Sequence, residues 1–296
     1  MIYARVYNCC KVLLRVWRNA LFTILAKREL AKDINEYVID APLVAKNAKP
    51  GQFIILIVEE GGERVPFTIC DMNKVLGTVT ILVQTVGATT AKLAKLNAGD
   101  TIASFVGPLG NPTDLSGYKK VMLVGGGIGG AVIYPQAKLL HKAGIAPVTV
   151  MGARNKDLLI YENEMRTYSS RFYPMTDDGS YGDKGFVTNK VKKLLDTEDF
   201  DVILAVGPMP MMEAVTNVAR DNPVKVIVSM NSVMVDGTGM CGCCRVTVGG
   251  ETKYACVDGP EFDGKLIDFA EARTRASFYK EFETEEDCKI RGPRKK

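Results

Sequence analysis

Short apolar runs alternate with turn residues over the first third of the chain. The runs QFIILIV and TVTILVQTV are separated by glycine, proline and acidic residues, a pattern typical of short β-strands. The pattern extends from about Leu21 to Asp114 and predicts a small antiparallel barrel. We expect this barrel domain at residues 21–116, after an N-terminal extension of residues 1–20.

Strand-like and helix-like segments alternate from Lys119 to Ser229. The apolar segments KVMLVGGG, PVTVMGA, DVILAVG and VKVIVS are separated by segments with helical periodicity, such as VTNKVKKLL and MMEAVTNVAR. Strands that alternate with helices predict βαβ units and a parallel sheet. We therefore place an α/β domain at residues 117–229.

The segment from Met230 to about Gly264 is short and rich in glycine and cysteine. Within it, the sequence CRVTVGGETKYACV contains two alternating strand patterns joined by Gly-Gly, which predicts a β-hairpin. We place a third, small region at residues 230–264. A charged tail, helical at most, is expected at residues 265–296.

The composition is that of a soluble globular protein. The 296 residues suffice for about two domains, 47% of them are hydrophobic and 24% are charged. Much of the formal charge of +4 lies in the terminal RGPRKK, so no nucleic-acid surface is predicted. Charged residues interrupt every apolar run before the roughly 18 residues of a membrane helix. We expect a cytoplasmic protein that binds neither nucleic acid nor membrane.

Four of the eight cysteines lie within sixteen residues, at positions 241, 243, 244 and 256. Clustered cysteines in a chain without a secretion signal indicate metal ligation or redox chemistry in a reducing compartment. The predicted hairpin would return Cys256 toward Cys244. The spacing Asp236-x4-Cys241-x2-Cys244-x11-Cys256 matches the plant-type [2Fe-2S] pattern, with aspartate in the first position.

Two alternatives stay open for this cysteine cluster. Three cysteines and one aspartate could also bind zinc tetrahedrally. In addition, Asp236 could be a turn residue, because Asp-Gly favours turns. Water or Cys243 would then be the fourth ligand, although Cys243 lies between two ligands and is otherwise interpreted as a small filler or a free thiol.

Two glycine-containing turns follow strands of the predicted α/β domain. Glycine lets a turn adopt positive φ and lets a pyrophosphate approach the backbone, and a following helix presents unpaired N–H groups. Ligands of open α/β sheets lie at the carboxyl ends of strands, so both turns should face one crevice. Arg154 stands where an acidic ribose-binding residue would be expected, so NAD and NADP both remain candidates. The candidate nucleotide-binding residues are Gly125, Gly126, Gly127 and Gly129 in the first turn and Gly207 and Pro208 in the second.

Two motifs in the predicted barrel could bind a flavin. In ERVPFTI, a hydroxyl beside a flat aromatic ring can form a hydrogen bond with the edge of a flavin ring. In VGATTAKLAKL, a glycine turn with hydroxyl groups at a helix start can bind phosphate. Neither motif identifies FAD by itself.

Together these motifs resemble the ferredoxin-NADP reductase superfamily. The order P-F-T, G-x-x-T, GPLGNP, GGGIGG and GPMPMM carries the resemblance over residues 21–264. It implies an FAD-binding barrel followed by an NAD(P)-binding domain. Arg64, which is expected to bind the FAD pyrophosphate, lies one residue further from the P-F-T motif than the usual arginine. The other implied FAD-site residues are Pro66, Phe67 and Thr68 at the ring, Gly87 and Thr90 at a phosphate, and Gly107 and Gly110 in the closing loop.

The run MVDGTGMCGCCRVTVGG, followed by ACVDGPEFDG, resembles the small subunits of NADH-dependent ferredoxin:NADP oxidoreductases, also called sulfide dehydrogenases. The resemblance implies a [2Fe-2S] cluster held by Asp236, Cys241, Cys244 and Cys256. It further implies an oxidoreductase that passes electrons from NAD(P)H through FAD and the cluster to a large flavin and iron–sulfur subunit, with ferredoxin reached through that subunit. No side chain needs to act as a general acid or base.

Two other functions remain as alternatives. The first is the electron-transfer subunit of dihydroorotate dehydrogenase, which has four cysteines at its cluster. The second, from another class, is a metal-stabilised binding protein without catalytic activity.

Overall fold

The computed structural model describes residues 22–278. These residues form a seven-stranded antiparallel sheet, a seven-stranded and mostly parallel sheet, and a two-stranded hairpin. The extension predicted at residues 1–20 lies outside the described residues, as does the predicted tail beyond residue 278. Within residues 22–278, no helix is long and apolar enough to cross a membrane.

The first sheet is a nearly closed antiparallel barrel with the strand order β6-β1-β2-β5-β4-β3-β7. Alternate residues of its strands point inward, and Ile39, Ile54 and Ile81 are fully buried in its core. The predicted barrel is confirmed. Its elements are β1 (Phe22–Ala31), β2 (Ile34–Asp40), α1 (Pro42–Asn47), β3 (Phe53–Ile57), β4 (Val65–Asn73), β5 (Thr78–Gln84), α2 (Ala88–Lys95), β6 (Thr101–Ile102) and β7 (Ser104–Leu109).

The second sheet has the strand order β11-β10-β9-β8-β12-β13-β16. All of its strands run parallel except β16, which pairs antiparallel with β13. The predicted parallel sheet is confirmed. Because the chain order reverses at β8, a ligand crevice is expected where β8 and β12 end. The strands are β8 (Val121–Gly126), β9 (Val148–Ala153), β10 (Arg171–Thr176), β11 (Asp183–Lys184), β12 (Val202–Val206), β13 (Lys225–Ser229) and β16 (Glu261–Asp263).

Helices cover the second sheet. The sequence predicts one helix after β8, but the structure has two, and Pro135 lies in the first turn of the second. Proline has no N–H to donate within a helix, so it is tolerated only where a helix begins. The helices are α3 (Gly129–Val132), α4 (Tyr134–Lys142), α5 (Glu162–Tyr168), α6 (Val187–Leu195) and α7 (Met209–Val218), with a short 3-10 helix at Lys156–Leu158.

The C-terminal region is built onto the edge of the second sheet. The predicted hairpin is confirmed as β14 (Arg245–Val248) and β15 (Glu251–Tyr254), and both glycines of its turn have positive φ. After the hairpin the chain returns as β16 and a 3-10 helix at Gly264–Leu266. It then forms α8 (Phe269–Ala276), which contacts β14 and α7.

Polar contacts join the barrel to the second domain, and two of them involve side chains of β2 and β4. The ammonium group of Lys138 in α4 lies 2.8 Å from both carboxylate oxygens of Asp71 in β4. The hydroxyl group of Tyr161 donates to the carboxylate of Glu36 in β2. These contacts fix the two domains on either side of a crevice.

Candidate functional site

A cavity of about 940 Å³ lies between the barrel and the second sheet. Its walls come from β4, from the turns after β8 and β12, and from the segment that follows β13. The cavity therefore brings together motifs that are more than a hundred residues apart, and both glycine turns face it as predicted. The predicted residues that line it are Pro66, Phe67, Thr68, Gly126, Gly127, Gly129, Gly207 and Pro208.

The first glycine turn is shaped by close contact between two backbones. Gly127 has a positive φ of 56°, and its N–H donates to the carbonyl of Gly152 at 2.8 Å. A Cβ atom at Gly129 would lie 2.1 Å from the carbonyl oxygen of Val206 at the end of β12. Glycine at these positions lets the β8 and β12 turns meet and leaves backbone exposed to the cavity. Gly125 lies behind the turn, against Gly130, and does not line the cavity.

The flavin motif of β4 is held by the barrel ladder. Thr68 pairs with Phe53 of β3, and Phe67 pairs with Ile54. Pro66, Phe67 and Thr68 all contribute to the cavity wall, and Phe67 also packs against the barrel core. An aromatic wall with one hydroxyl group next to it suits a flat, partly polar ring.

The second flavin motif lies outside the cavity wall. The hydroxyl group of Thr90 accepts hydrogen bonds from the N–H groups of Val86 at 3.0 Å and Gly87 at 2.9 Å, and donates to the carbonyl of Gly87. Thr90 therefore caps the start of α2. These contacts order the turn that the sequence predicts as a phosphate site.

The two glycines of the closing loop make tight packing contacts. A Cβ atom at Gly107 would lie 2.7 Å from the Ile54 side chain, and one at Gly110 would lie 2.8 Å from Phe53. Gly110 also has a positive φ of 73°. In the described residues these positions close the barrel end and do not line the cavity.

Arg64 reaches toward the cysteine-rich loop. Its Nε donates to the carbonyl oxygen of Val235 at 2.5 Å, and its Nη2 donates to that of Asp236 at 3.2 Å. The guanidinium group predicted to bind a pyrophosphate thus ties the start of β4 to the loop that precedes the cysteines.

Two of the predicted cluster ligands are adjacent. The Cys244 and Cys256 sulfurs lie 3.1 Å apart, both side chains are buried, and the N–H of Cys256 donates to the Cys244 sulfur at 3.4 Å. Burial raises the pKa of the Cys256 thiol to about 12. Cys241 is exposed on the same loop, and the N–H of Cys243 holds the pKa of its thiol below the usual value.

Asp236 makes three hydrogen bonds within its own loop. Its Oδ2 accepts from the hydroxyl group of Thr238 at 2.7 Å, from the N–H of Thr238 at 2.8 Å and from the N–H of Met240 at 3.1 Å. The Thr238 hydroxyl is the main reason that the pKa of this carboxyl group is lowered. The other carboxylate oxygen, Oδ1, takes no part in these bonds and could bind a metal.

The donor set of this loop fits an iron–sulfur cluster in its chemistry. The cysteine ligands of such clusters usually accept hydrogen bonds from backbone N–H groups. Across residues 22–278, however, no three His, Cys, Asp or Glu side chains converge closely enough to hold a metal ion. The structure therefore assembles the Cys244–Cys256 pair, with Cys241 and Asp236 on the loop next to it.

The cavity also contains polar residues that were not predicted as ligands. Arg154 follows β9, Asp177 follows β10, and Asn231 and Ser232 follow β13. Each lies within three residues of the carboxyl end of a parallel strand. The rule that ligands bind at those ends would have found them.

Comparison with known sequences identifies relatives of nearly full length. Residues 231–268 match the family model for the iron-sulfur cluster binding domain of dihydroorotate dehydrogenase B. The dihydroorotate dehydrogenase B (NAD(+)) electron transfer subunit homolog of Thermotoga maritima is 47% identical over 265 residues, which cover 90% of this chain and 94% of the relative. The corresponding subunit of Bacillus caldolyticus is 35% identical over 249 residues, covering 81% and 95%.

A solved structure is also similar over almost the whole chain. It comes from a study of flavin-based electron bifurcation by NADH-dependent reduced ferredoxin-NADP oxidoreductase. The TM-score is 0.87 and the sequence identity is 44%, with coverage of 92% of this chain and 98% of the other.

Proposed function

Because the chain belongs to the family of dihydroorotate dehydrogenase B electron-transfer subunits and their homologues, we propose that it carries electrons between NAD(P)H and a larger partner subunit. FAD and a [2Fe-2S] cluster are the carriers. One observation supports this proposal above the others: the flavin strand and both glycine turns line a single cavity. The cysteine-rich loop is tied to the same strand through Arg64.

On the flavin side, Pro66 and Phe67 would pack against the ring while the Thr68 hydroxyl forms a hydrogen bond with its edge. The turn that Gly87 and Thr90 order would bind a phosphate of FAD through the N–H groups at the start of α2. When bound, FAD accepts a hydride from NAD(P)H and releases the two electrons singly, which matches a one-electron cluster.

On the opposite wall, the backbone of the two glycine turns would bind the nicotinamide nucleotide. Gly126, Gly127 and Gly129 would hold its pyrophosphate, and Gly207 and Pro208 would hold the nicotinamide end against the flavin. The reaction requires no proton transfer by a side chain, so these residues act by orienting the partners.

The cluster would be held by Cys241, Cys244, Cys256 and Asp236. Aspartate in the first position is the reason that we favour a ferredoxin:NADP type of assembly over a dihydroorotate dehydrogenase. We propose a large flavin and iron–sulfur subunit as the partner, with ferredoxin reached through it. Purification from the native cell separates the two assemblies, because a dihydroorotate-oxidising partner would refute the first.

Anaerobically purified protein tests the proposal as a whole. We expect one FAD, two iron atoms and two acid-labile sulfides per chain, and bleaching of the visible spectrum by NADH or NADPH. Colourless protein that contains zinc would refute the redox function and favour a metal-stabilised binding protein.

Two substitutions test Asp236 as the fourth ligand. Asp236→Asn keeps an oxygen that can accept the loop hydrogen bonds but weakens iron binding, so the EPR signal of the reduced cluster should change. Asp236→Ala removes both roles. If Asp236→Asn leaves the signal unchanged while Asp236→Ala disturbs it, the aspartate only orders its loop. Asp258→Asn is the matched control, because Asp258 also accepts a backbone hydrogen bond near a cysteine.

A further inference from the structure

The cysteine-rich loop is held between two arginines, one on each side. Arg64 donates from the start of β4 to the carbonyl oxygens of Val235 and Asp236. Arg275 donates from α8 to the carbonyl oxygen of Cys243 at 3.2 Å. Only Arg64 is next to the strand that carries the P-F-T motif, because it directly precedes β4.

Arg64 directly precedes β4, which begins at Val65, and its side chain extends toward the cysteine-rich loop. Two of the five N–H donors of its guanidinium group, one on Nε and one on Nη2, bind consecutive carbonyl groups of the cysteine-rich loop. A planar fork with a fixed charge makes stronger and more directional bonds than a lysine could.

We propose that Arg64 is a positioning residue that fixes the cluster-binding loop on the flavin-binding strand, and that its charge favours reduction of the cluster. The inference rests on the proposed function. Reduction adds one negative charge to a cluster, and a cation close to the loop stabilises that charge. The same residue therefore sets both the placement of the loop relative to the flavin strand and the ease of electron uptake.

The loop has separate contacts with the barrel on its return side. The N–H of Asn111 donates to the carbonyl of Gly259 at 2.7 Å, and its side-chain amide donates to that of Val257 at 3.0 Å. Because these bonds do not involve Arg64, a variant at position 64 should still fold with its C-terminal region attached. The effect of Arg64 can thus be measured in the intact holoprotein.

The test compares Arg64→Gln, Arg64→Lys and the control Arg275→Gln in anaerobic holoprotein. FAD content and FAD affinity, the EPR spectrum of the reduced cluster, and the cluster's reduction potential are measured for each. For Arg64→Gln we expect FAD affinity within about threefold of wild type and an altered EPR spectrum. Reduction of the cluster should be about tenfold less favourable, equivalent to about 59 mV. Arg64→Lys should restore the potential in large part and the EPR spectrum less fully.

The outcomes separate this inference from the function on which it rests. If Arg64→Gln loses FAD while the EPR spectrum and potential stay as in wild type, Arg64 is a pyrophosphate ligand and the inference is wrong. It is equally wrong if Arg275→Gln changes the EPR spectrum and the reduction potential as much as Arg64→Gln does, or if no property changes. Should Arg64→Gln fail to accumulate, the EPR spectrum and the FAD affinity of Arg64→Lys are compared with those of wild type to test the inference. Wild-type protein without FAD or cluster would instead refute the proposed function.

Discussion

Replacing Glu261 with glutamine should stabilise the protein above neutral pH and have a much smaller effect in acid. Glu261 in β16 is largely buried at the junction of the barrel and the second sheet. Burial raises the pKa of its carboxyl group from 4.5 to about 7, although a hydrogen bond with Thr113 opposes the shift. The Thr113 hydroxyl and the Glu261 carboxyl oxygen lie 2.6 Å apart.

Gln136 competes with Glu261 for the proton of the Thr113 hydroxyl. The Gln136 amide is best satisfied when its oxygen accepts from the N–H of Gly51 at 3.2 Å and from the Thr113 hydroxyl at 3.0 Å, while its nitrogen donates to Val132 at 2.5 Å. The opposite orientation makes one bond to Thr113 and loses the other two. The Thr113 hydroxyl has one proton, so when that proton is directed to Gln136 it no longer stabilises a Glu261 carboxylate.

The magnitude follows from the two pKa values. Below pH 4.5 the carboxyl group is neutral in both the folded and the unfolded chain, so it contributes no pH dependence. As the pH rises toward 7 the unfolded chain ionises first, and the free energy of unfolding falls. Above pH 7 the loss is complete and reaches at most about 3 kcal/mol, because each pKa unit corresponds to about 1.4 kcal/mol. Glutamine has the shape of the neutral acid and avoids this loss.

Scanning calorimetry from pH 5 to pH 8, at one scan rate, measures the difference between Glu261→Gln and wild type. In a chain of this size, 1 kcal/mol shifts the thermal midpoint by roughly 2 to 4 °C, so the variant should gain up to about 10 °C at pH 8 and clearly less at pH 5. Glu60→Gln, at an exposed position, controls for the change of residue type. An offset that is the same at pH 5 and pH 8, or a variant that is less stable at pH 8, would show that the buried charge is not the cause.

Three further substitutions test the packing of the site. Gly129→Ala should weaken NAD(P)H binding and lower the free energy of unfolding by about 1 to 3 kcal/mol, because the added Cβ would meet the carbonyl oxygen of Val206. Nucleotide titrations that match those of wild type would contradict this. Thr90→Val should lose about 1 kcal/mol in denaturant unfolding by removing the α2 cap, whereas Thr90→Ser should lose little. Lys138→Met should cost at most about 1 kcal/mol, and a double-mutant cycle with Asp71→Asn should give a coupling that shrinks as salt is added.

Much of the fold could be predicted because it depends on local patterns. Period-two alternation in TVTILVQTV indicates a strand with one buried face, and Gly249-Gly250 matches the positive φ that a two-residue hairpin turn requires. The shared cavity of the Gly126 and Gly207 turns follows from one rule about the ends of parallel strands.

The remaining features depend on which distant segments meet. The sequence gives no sign that Arg64 approaches residues 235 and 236, or that Thr113 approaches Glu261, because these contacts arise only when the C-terminal region packs on the barrel. The sequence left two roles open for Asp236, a cluster ligand or a turn residue. Its hydrogen bonds within the loop are those expected of a turn residue, since Asp-Gly favours turns. The division of the helix after β8 was predictable from Pro135 alone.

The pairing of β16 with β13 has a consequence for protein engineering. The cysteine-rich segment leaves the second sheet at the end of β13 and returns to pair with the same strand, so it is an insertion and cannot be removed as a C-terminal cassette. Truncation after residue 229 would uncover the edge of β13, where Ile227 and Val228 are buried, and an exposed apolar edge invites aggregation. A cluster-free reductase should therefore keep residues 261–276 and replace only the loop and hairpin between them and β13.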